Sequence, residues 1–243
     1  MLSKTLTSAF TKAWGNRTTP ALAGALLLFV HLALPSLAHA AKPVYDFNQT
    51  EAYLAPASAM DGWQATLTRY QLQRADLLAC TAERGCRGRL KSFHRLMQRA
   101  RDLSVEEKIQ LTNYYINRND YDDDRRQRRY DAAGRKDGFQ RSQWMTLMDF
   151  LTRGGDCEDY ASSKYFMLRE LGLAADDMRV VVTYSRELRG YHAVLAVRLA
   201  DDSVWLLDSD NRIRKSSHYG YRYIFALNEH SIWDHRKDYV GPG

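Results

Sequence analysis

The chain has 243 residues, of which 45% are hydrophobic, and it carries 35 Lys and Arg against 29 Asp and Glu. That apolar share supplies the core of one domain, and excludes a disordered or low-complexity protein. The net charge of +6 comes partly from the first 40 residues, which hold three basic residues and no acidic one; without them it is +6 − 3 = +3, so the basic pI does not point to nucleic acid.

Those first residues read as a leader. Lys4, Lys12 and Arg17 precede the apolar stretch ALAGALLLFVHLALP, and Ala38, His39 and Ala40 form a small-x-small site. The pattern predicts a signal peptide over residues 1–40, cleaved before Ala41, and a mature domain over residues 41–243. The apolar run is short for a membrane span of about 20 residues, and His31 and Pro35 interrupt its end. The expected product is exported to an oxidising compartment such as a bacterial periplasm and does not span a membrane.

Residues 41–60 read as an irregular arm. In GWQATLTRYQLQRADLLA, Trp63, Leu67, Tyr70, Leu77 and Leu78 recur at helical spacing, as do Leu90, Phe93, Leu96, Met97 and Ala100 in RLKSFHRLMQRA. SVEEKIQLTNYYIN opens with a capping box of Ser104 and Glu107 and sets Val105, Ile109, Thr112 and Ile116 on one face. Residues 117–143, dense in both charges and poor in apolar side chains, read as a long solvated surface loop. WMTLMDFLTR resumes helical or turn structure, and Gly154 and Gly155 end it. A further helix is expected from Cys157 to Leu171, stopped by Gly172. The period then changes to two: RVVVTYS, HAVLAVRL and SVWLLDS are strand-like, ADDS makes the last two a hairpin, and YRYIFALN is a fourth strand. Helices followed by a small antiparallel sheet give an α+β fold, with a helix packed on the sheet.

The mature domain would keep three cysteines. Cys80 and Cys86 are close enough in LACTAERGCRG for a short disulfide; two free thiols is the other reading. Cys157 is left over, and an odd thiol in an exported protein is either reactive or a dimerisation point. It opens a helix, where the dipole favours a thiolate. His192 begins one strand of the expected hairpin and Asp208 ends the other, so the two lie close. His192 can take the thiol proton while Asp208 orients the imidazole. Taken singly, each has a plainer reading: a small buried residue, a structural strand histidine, a turn aspartate. Together, in the order Cys, His, Asp on a helix and two strands, they match a papain-like or transglutaminase-like core. The sequence DCED raises a conflict, because Asp156, Glu158 and Asp159 oppose ionisation of the thiol. A helix cap with solvated neighbours is the reading of these carboxylates from the residues alone.

GGDCEDYASSKYFMLRELG resembles the signature of the bacterial transglutaminase-like cysteine proteinases, whose LapG-type members are periplasmic. Trp144 with MDFL, YHAVLAV around the histidine and LLDSDNRIR around the aspartate support the resemblance, which spans Trp63 to Trp233. It implies Cys157 as nucleophile, His192 as general base and acid, and Asp208 as orienting carboxylate. Asp210-Asn211 offers an alternative third position, since the family often has Asp-Asn there. The resemblance further implies a Ca²⁺ site at Asp156 and Glu158, with Asp159 a further candidate. It implies a large repeat adhesin as substrate, cut near a pair of alanines in its N-terminal region and released from the cell, so promoting biofilm dispersal. The implied partner is the periplasmic domain of an inner-membrane cyclic-di-GMP receptor. Three rivals remain: an acyl transferase on the same core, a catalytically idle binding module, and a metal site formed by Cys157, His192 and Asp208. The last lacks the paired Cys or His spacing of such sites.

Overall fold

The computed structural model describes residues 45–81, 84–86, 89–122, 144–217 and 220–236. The expected leader and its cleavage site, and residues 123–143 of the expected surface loop, lie outside the described residues.

Among the described residues, one short strand is followed by five α-helices: α1 (Asp61–Ala79), α2 (Leu90–Ala100), α3 (Val105–Ile116), α4 (Leu147–Arg153) and α5 (Cys157–Glu170). The apolar periods explain their faces. α2 buries Leu90, Phe93, Met97 and Ala100, three or four residues apart. α3 starts on the expected capping box: the Glu107 N–H donates to Ser104 Oγ (3.2 Å), and the Ser104 N–H donates to Glu107 Oε2 (2.8 Å). α4 starts where Thr146 Oγ1 accepts from the Asp149 N–H (3.2 Å). α5 differs in having no solvent face over its middle, where every residue from Asp159 to Leu168 is buried. A helix enclosed on all sides is held by its neighbours rather than by propensity, which makes it a rigid mount.

The strands form a seven-stranded, wholly antiparallel sheet of order β1-β7-β6-β2-β3-β4-β5. Its strands are β1 (Tyr53–Pro56), β2 (Met178–Ser185), β3 (Gly190–Arg198), β4 (Val204–Leu207), β5 (Ile213–Lys215), β6 (Tyr221–Leu227) and β7 (Ser231–Asp234). The β3–β4 hairpin is the expected one. The sheet is larger than its sequence suggests, because β1, β5 and β7 are three or four residues long and too short to show a period. Alternate residues serve two cores. Val180, Leu195, Val197 and Leu207 face the helices, while Val181, Val194, Ala196 and Leu206 face a smaller cluster closed by Tyr45 and Phe47. The arm is thus pinned: Tyr45 N–H donates to the Ser216 carbonyl (3.2 Å), and Arg179 Nη2 to the Phe47 carbonyl (2.8 Å). On the helical side, fully buried Trp63 packs against Trp144 and Phe166 and donates from Nε1 to the Asn228 carbonyl (2.8 Å). Among the described residues no helix is long and apolar enough to cross a membrane.

Cys80 and Cys86 are joined, with their Cα atoms 5.8 Å apart and a sequence separation of 6. Loop closure over so few residues removes only modest entropy from the unfolded chain. Replacing both cysteines by Ser should therefore lower stability by roughly 2 kcal/mol, read as a shift in the urea midpoint. A midpoint unchanged on replacement or reduction would show that the link contributes nothing.

Candidate active site

The route into α5 explains its opening glycines. Gly154 stops α4 with φ +81°, and a side chain on it would meet the Asp120 carbonyl. A Cβ on Gly155 would strike the Asp159 side chain. Gly155 pairs with the strand-like segment at Tyr121, accepting from the Asp122 N–H (2.9 Å) and donating to the Asp120 carbonyl (3.3 Å). The helix then begins at Cys157. Asp159 secures this start: Oδ2 accepts from the Asp156 N–H (3.2 Å) and Oδ1 from the Met145 N–H (2.7 Å).

Cys157 is a free cysteine, and its thiol is partly buried against the start of β3, where the Ala193 N–H reaches it. Ala193 directly follows His192 in β3. Sγ–H donates to Glu158 Oε2 (3.2 Å). Burial pushes the thiol up, well above the ordinary cysteine range; the charges of Glu158 and Asp156 and the bond to Glu158 add to this, and only the Ala193 N–H opposes it.

His192 and Asp208 meet as the hairpin requires, with His192 Nε2 2.7 Å from Asp208 Oδ1. Both side chains are buried. Engagement of Nε2 leaves Nδ1 as the nitrogen available for proton exchange. Asp208 Oδ1 also accepts from the Ser209 N–H (2.6 Å), and Oδ2 accepts from Arg214 Nη1 (2.8 Å) and the Tyr221 hydroxyl. Burial opposes its charge, but His192, Tyr221 and Arg214 outweigh burial and hold the carboxyl well below the usual range. Asp210 points elsewhere, to Arg214 (2.7 and 3.0 Å) and the Arg212 N–H (2.9 Å). Between the two aspartates it is therefore Asp208 that touches the histidine.

The expected cation ligands divide. Donor atoms of Asp156, Cys157 and Glu158 lie within 4.8 Å of one another. Among the described residues Asp159 is not in that group; its oxygens serve main-chain N–H groups of Asp156 and Met145. Four residues that sequence reading passed over also converge here. Arg214 and Tyr221 grip the Asp208 carboxylate, while Lys164 Nζ and Asn117 Nδ2 each donate to its main-chain carbonyl at 2.8 Å. Arg214 had a signal, a cation just beyond the acidic turn of DSDNRIR. Lys164 had one too, as a lone cation inside the apolar run of α5.

A depressed carboxyl pKa is stability that exists above the unfolded value and is lost as pH falls below it. For Asp208 the loss should set in below about pH 4, where an unfolded aspartate takes up its proton. Asp208→Asn should be less stable at neutral pH and show a flatter fall in melting temperature between about pH 4 and 2. Equal slopes for the two proteins would mean that Asp208 is not the charged partner of His192 and Arg214.

Residues 104–236 match the model of the bacterial transglutaminase-like cysteine proteinase family, BTLCP. Among solved structures, LapG of Legionella pneumophila in its calcium-bound form is similar, with 23% identity and a TM-score of 0.53 over 66% of this chain and 86% of that one. A second LapG structure from that organism shares 24% identity and a TM-score of 0.52 over 62% of this chain and 82% of that one. An EGTA-treated form gives 23% and 0.53 over 65% and 83%. At this level of identity the likeness is one of fold. No curated protein matches the chain in sequence. The family match covers more than half of the chain, and the chain belongs to the bacterial transglutaminase-like cysteine proteinases.

Proposed function

We propose that the protein is a calcium-dependent cysteine endopeptidase of the periplasm. On this reading it cuts the N-terminal region of a large repeat adhesin, releases it from the cell surface and promotes biofilm dispersal. The observation that carries the chemical part is the buried His192–Asp208 pair at the strand ends (2.7 Å), with the neighbouring Ala193 N–H on the thiol of Cys157. Family membership supports peptide hydrolysis; the adhesin, and a cyclic-di-GMP receptor domain as partner, rest on the resemblance of the DCEDYA and KYFMLRELG segments.

On this reading the groups act in the order of a cysteine-protease cycle. The Cys157 proton passes to His192 Nδ1, while Asp208 holds Nε2–H and stabilises the imidazolium. The thiolate adds to the scissile carbonyl carbon, and the Cys157 N–H at the open helix end is a donor for the oxyanion. The C–N bond breaks as His192 returns the proton to the leaving amine. Water, deprotonated by His192, then hydrolyses the thioester and regenerates the thiol. Purified protein mixed with N-terminal adhesin fragments and Ca²⁺ should give one discrete cut, and Cys157→Ala should abolish it with the fold retained. Retained cleavage in that variant would overturn the reading. Amine incorporation without hydrolysis would point to an acyl transferase, and binding without any turnover to an idle module.

The calcium proposal is tested first by the residues themselves. Ca²⁺ takes hard oxygen donors, and Asp156 and Glu158 bring carboxylates together beside the thiol. They would hold the ion, and Asp159 would steady the turn through its bonds to Asp156 and Met145. Bound there, the ion supplies positive charge that lowers the thiol from its raised position. The calcium-bound and EGTA-treated structures of the Legionella protein support this reading. A chelator should lower both the melting temperature and the cleavage rate, reversibly on return of Ca²⁺ and poorly on addition of Mg²⁺, which demands tight octahedral sites. Asp156→Ala and Glu158→Ala should reproduce the loss. A wild type indifferent to chelator in both measurements would remove calcium from the mechanism.

A further inference from the structure

We propose that Lys164 is a positioning residue: from inside the nucleophile's helix, its Nζ pins the main chain of Asp208 so that the carboxylate stays on His192. The inference rests on the triad reading above. Lys164 lies two helical turns beyond Cys157 on α5 and is fully buried. Its Nζ donates to the Asp208 carbonyl at 2.8 Å, where Asn117 Nδ2 of the α3 C-cap also donates at 2.8 Å.

A buried ammonium is costly, and a methionine would fill the same space without that cost. The acceptor here is a neutral carbonyl, which does not fully compensate a charge. Burial pushes the ammonium down to about 7, although Asp208 and Asp210 favour its charge, and the Tyr160 ring lies 5.8 Å from Nζ. Packing does not require the cation, so its use lies in what it holds. Asp208 leaves β4 for a tight turn in which Asn211 has φ 66°. Its carboxylate is gripped by His192, Arg214 and Tyr221, and its carbonyl by Lys164 and Asn117. The two carbonyl bonds come from α5 and α3, so they tie the strand end to the helix that carries Cys157. Nucleophile and orienting carboxylate thereby share one rigid reference.

The decisive variant is Lys164→Met in the purified protein. The expected result is a melting temperature unchanged or higher, because a buried charge is removed. Cleavage of the adhesin fragment should lose about 10²-fold in kcat with KM unchanged, as for a displaced reacting group. Nitrogen-15 NMR of the imidazoles, with the His192 signals assigned by their absence in His192→Gln, should show a single tautomer with the proton on Nε2 in wild type and a mixture in Lys164→Met. Asn117→Ala, at the half-buried helix end, should give a smaller loss of the same kind. The proposal is overturned if kcat and the His192 signals are unchanged in both variants, or if Lys164→Met collapses the melting temperature. If wild type cuts nothing while the His192 signals still shift in Lys164→Met, the endopeptidase reading fails and the positioning inference stands.

Discussion

Asp208 is a single buried carboxylate on which five elements depend. His192 from β3, Arg214 from β5 and Tyr221 from β6 meet its side chain, while α5 and the end of α3 meet its backbone. A charge so placed is tolerable only because each oxygen has its donors. The same arrangement fixes the imidazole, since a histidine whose Nε2 is engaged at 2.7 Å has one ring orientation and one nitrogen left for chemistry. Structural need and chemical need are met by the same bonds, and neither can be altered without the other.

At the other side of the site the balance runs the opposite way. The thiol is surrounded by burial and by carboxylate charge, all opposing ionisation. Asp208 is stabilised as an anion and Cys157 is not, although β3 serves both, through His192 for one and through the Ala193 N–H for the other. This asymmetry gives the acidic cluster a meaning. On the proposed calcium reading, carboxylates that raise the thiol in isolation would become the means of controlling it once a cation is bound.

Much of this was legible in the sequence because the signals were periodic or chemically specific. The amphipathic segment of α2, the Ser104–Glu107 cap of α3 and the alternation across β2 and β3 reported themselves. The hairpin geometry brought His192 to Asp208 from spacing alone. What stayed hidden was short or contextual. β1, β5 and β7 hold too few residues for a period and exist through pairing with longer strands. Lys164 stood out only as a cation inside an apolar run; what it holds is set by the strand end that packs on α5, which the run does not show. The choice between Asp208 and Asp210, two residues apart, needed the register of β4 and the position of Arg214.

The arm that closes the second face of the sheet bears on how the protein forms. Tyr45 and Phe47 rest on Tyr223, His235 and Arg179, and β1 pairs with β7 across nearly the whole described length. Contacts between residues so distant in the chain carry a heavy loop-closure entropy before they yield anything. Val181, Val194 and Leu206 on that sheet face are covered by the arm, through Tyr45 and Phe47. The pairing of β1 with β7 needs Ser231–Asp234 to be present, so a chain that stops short of them cannot complete this edge of the sheet.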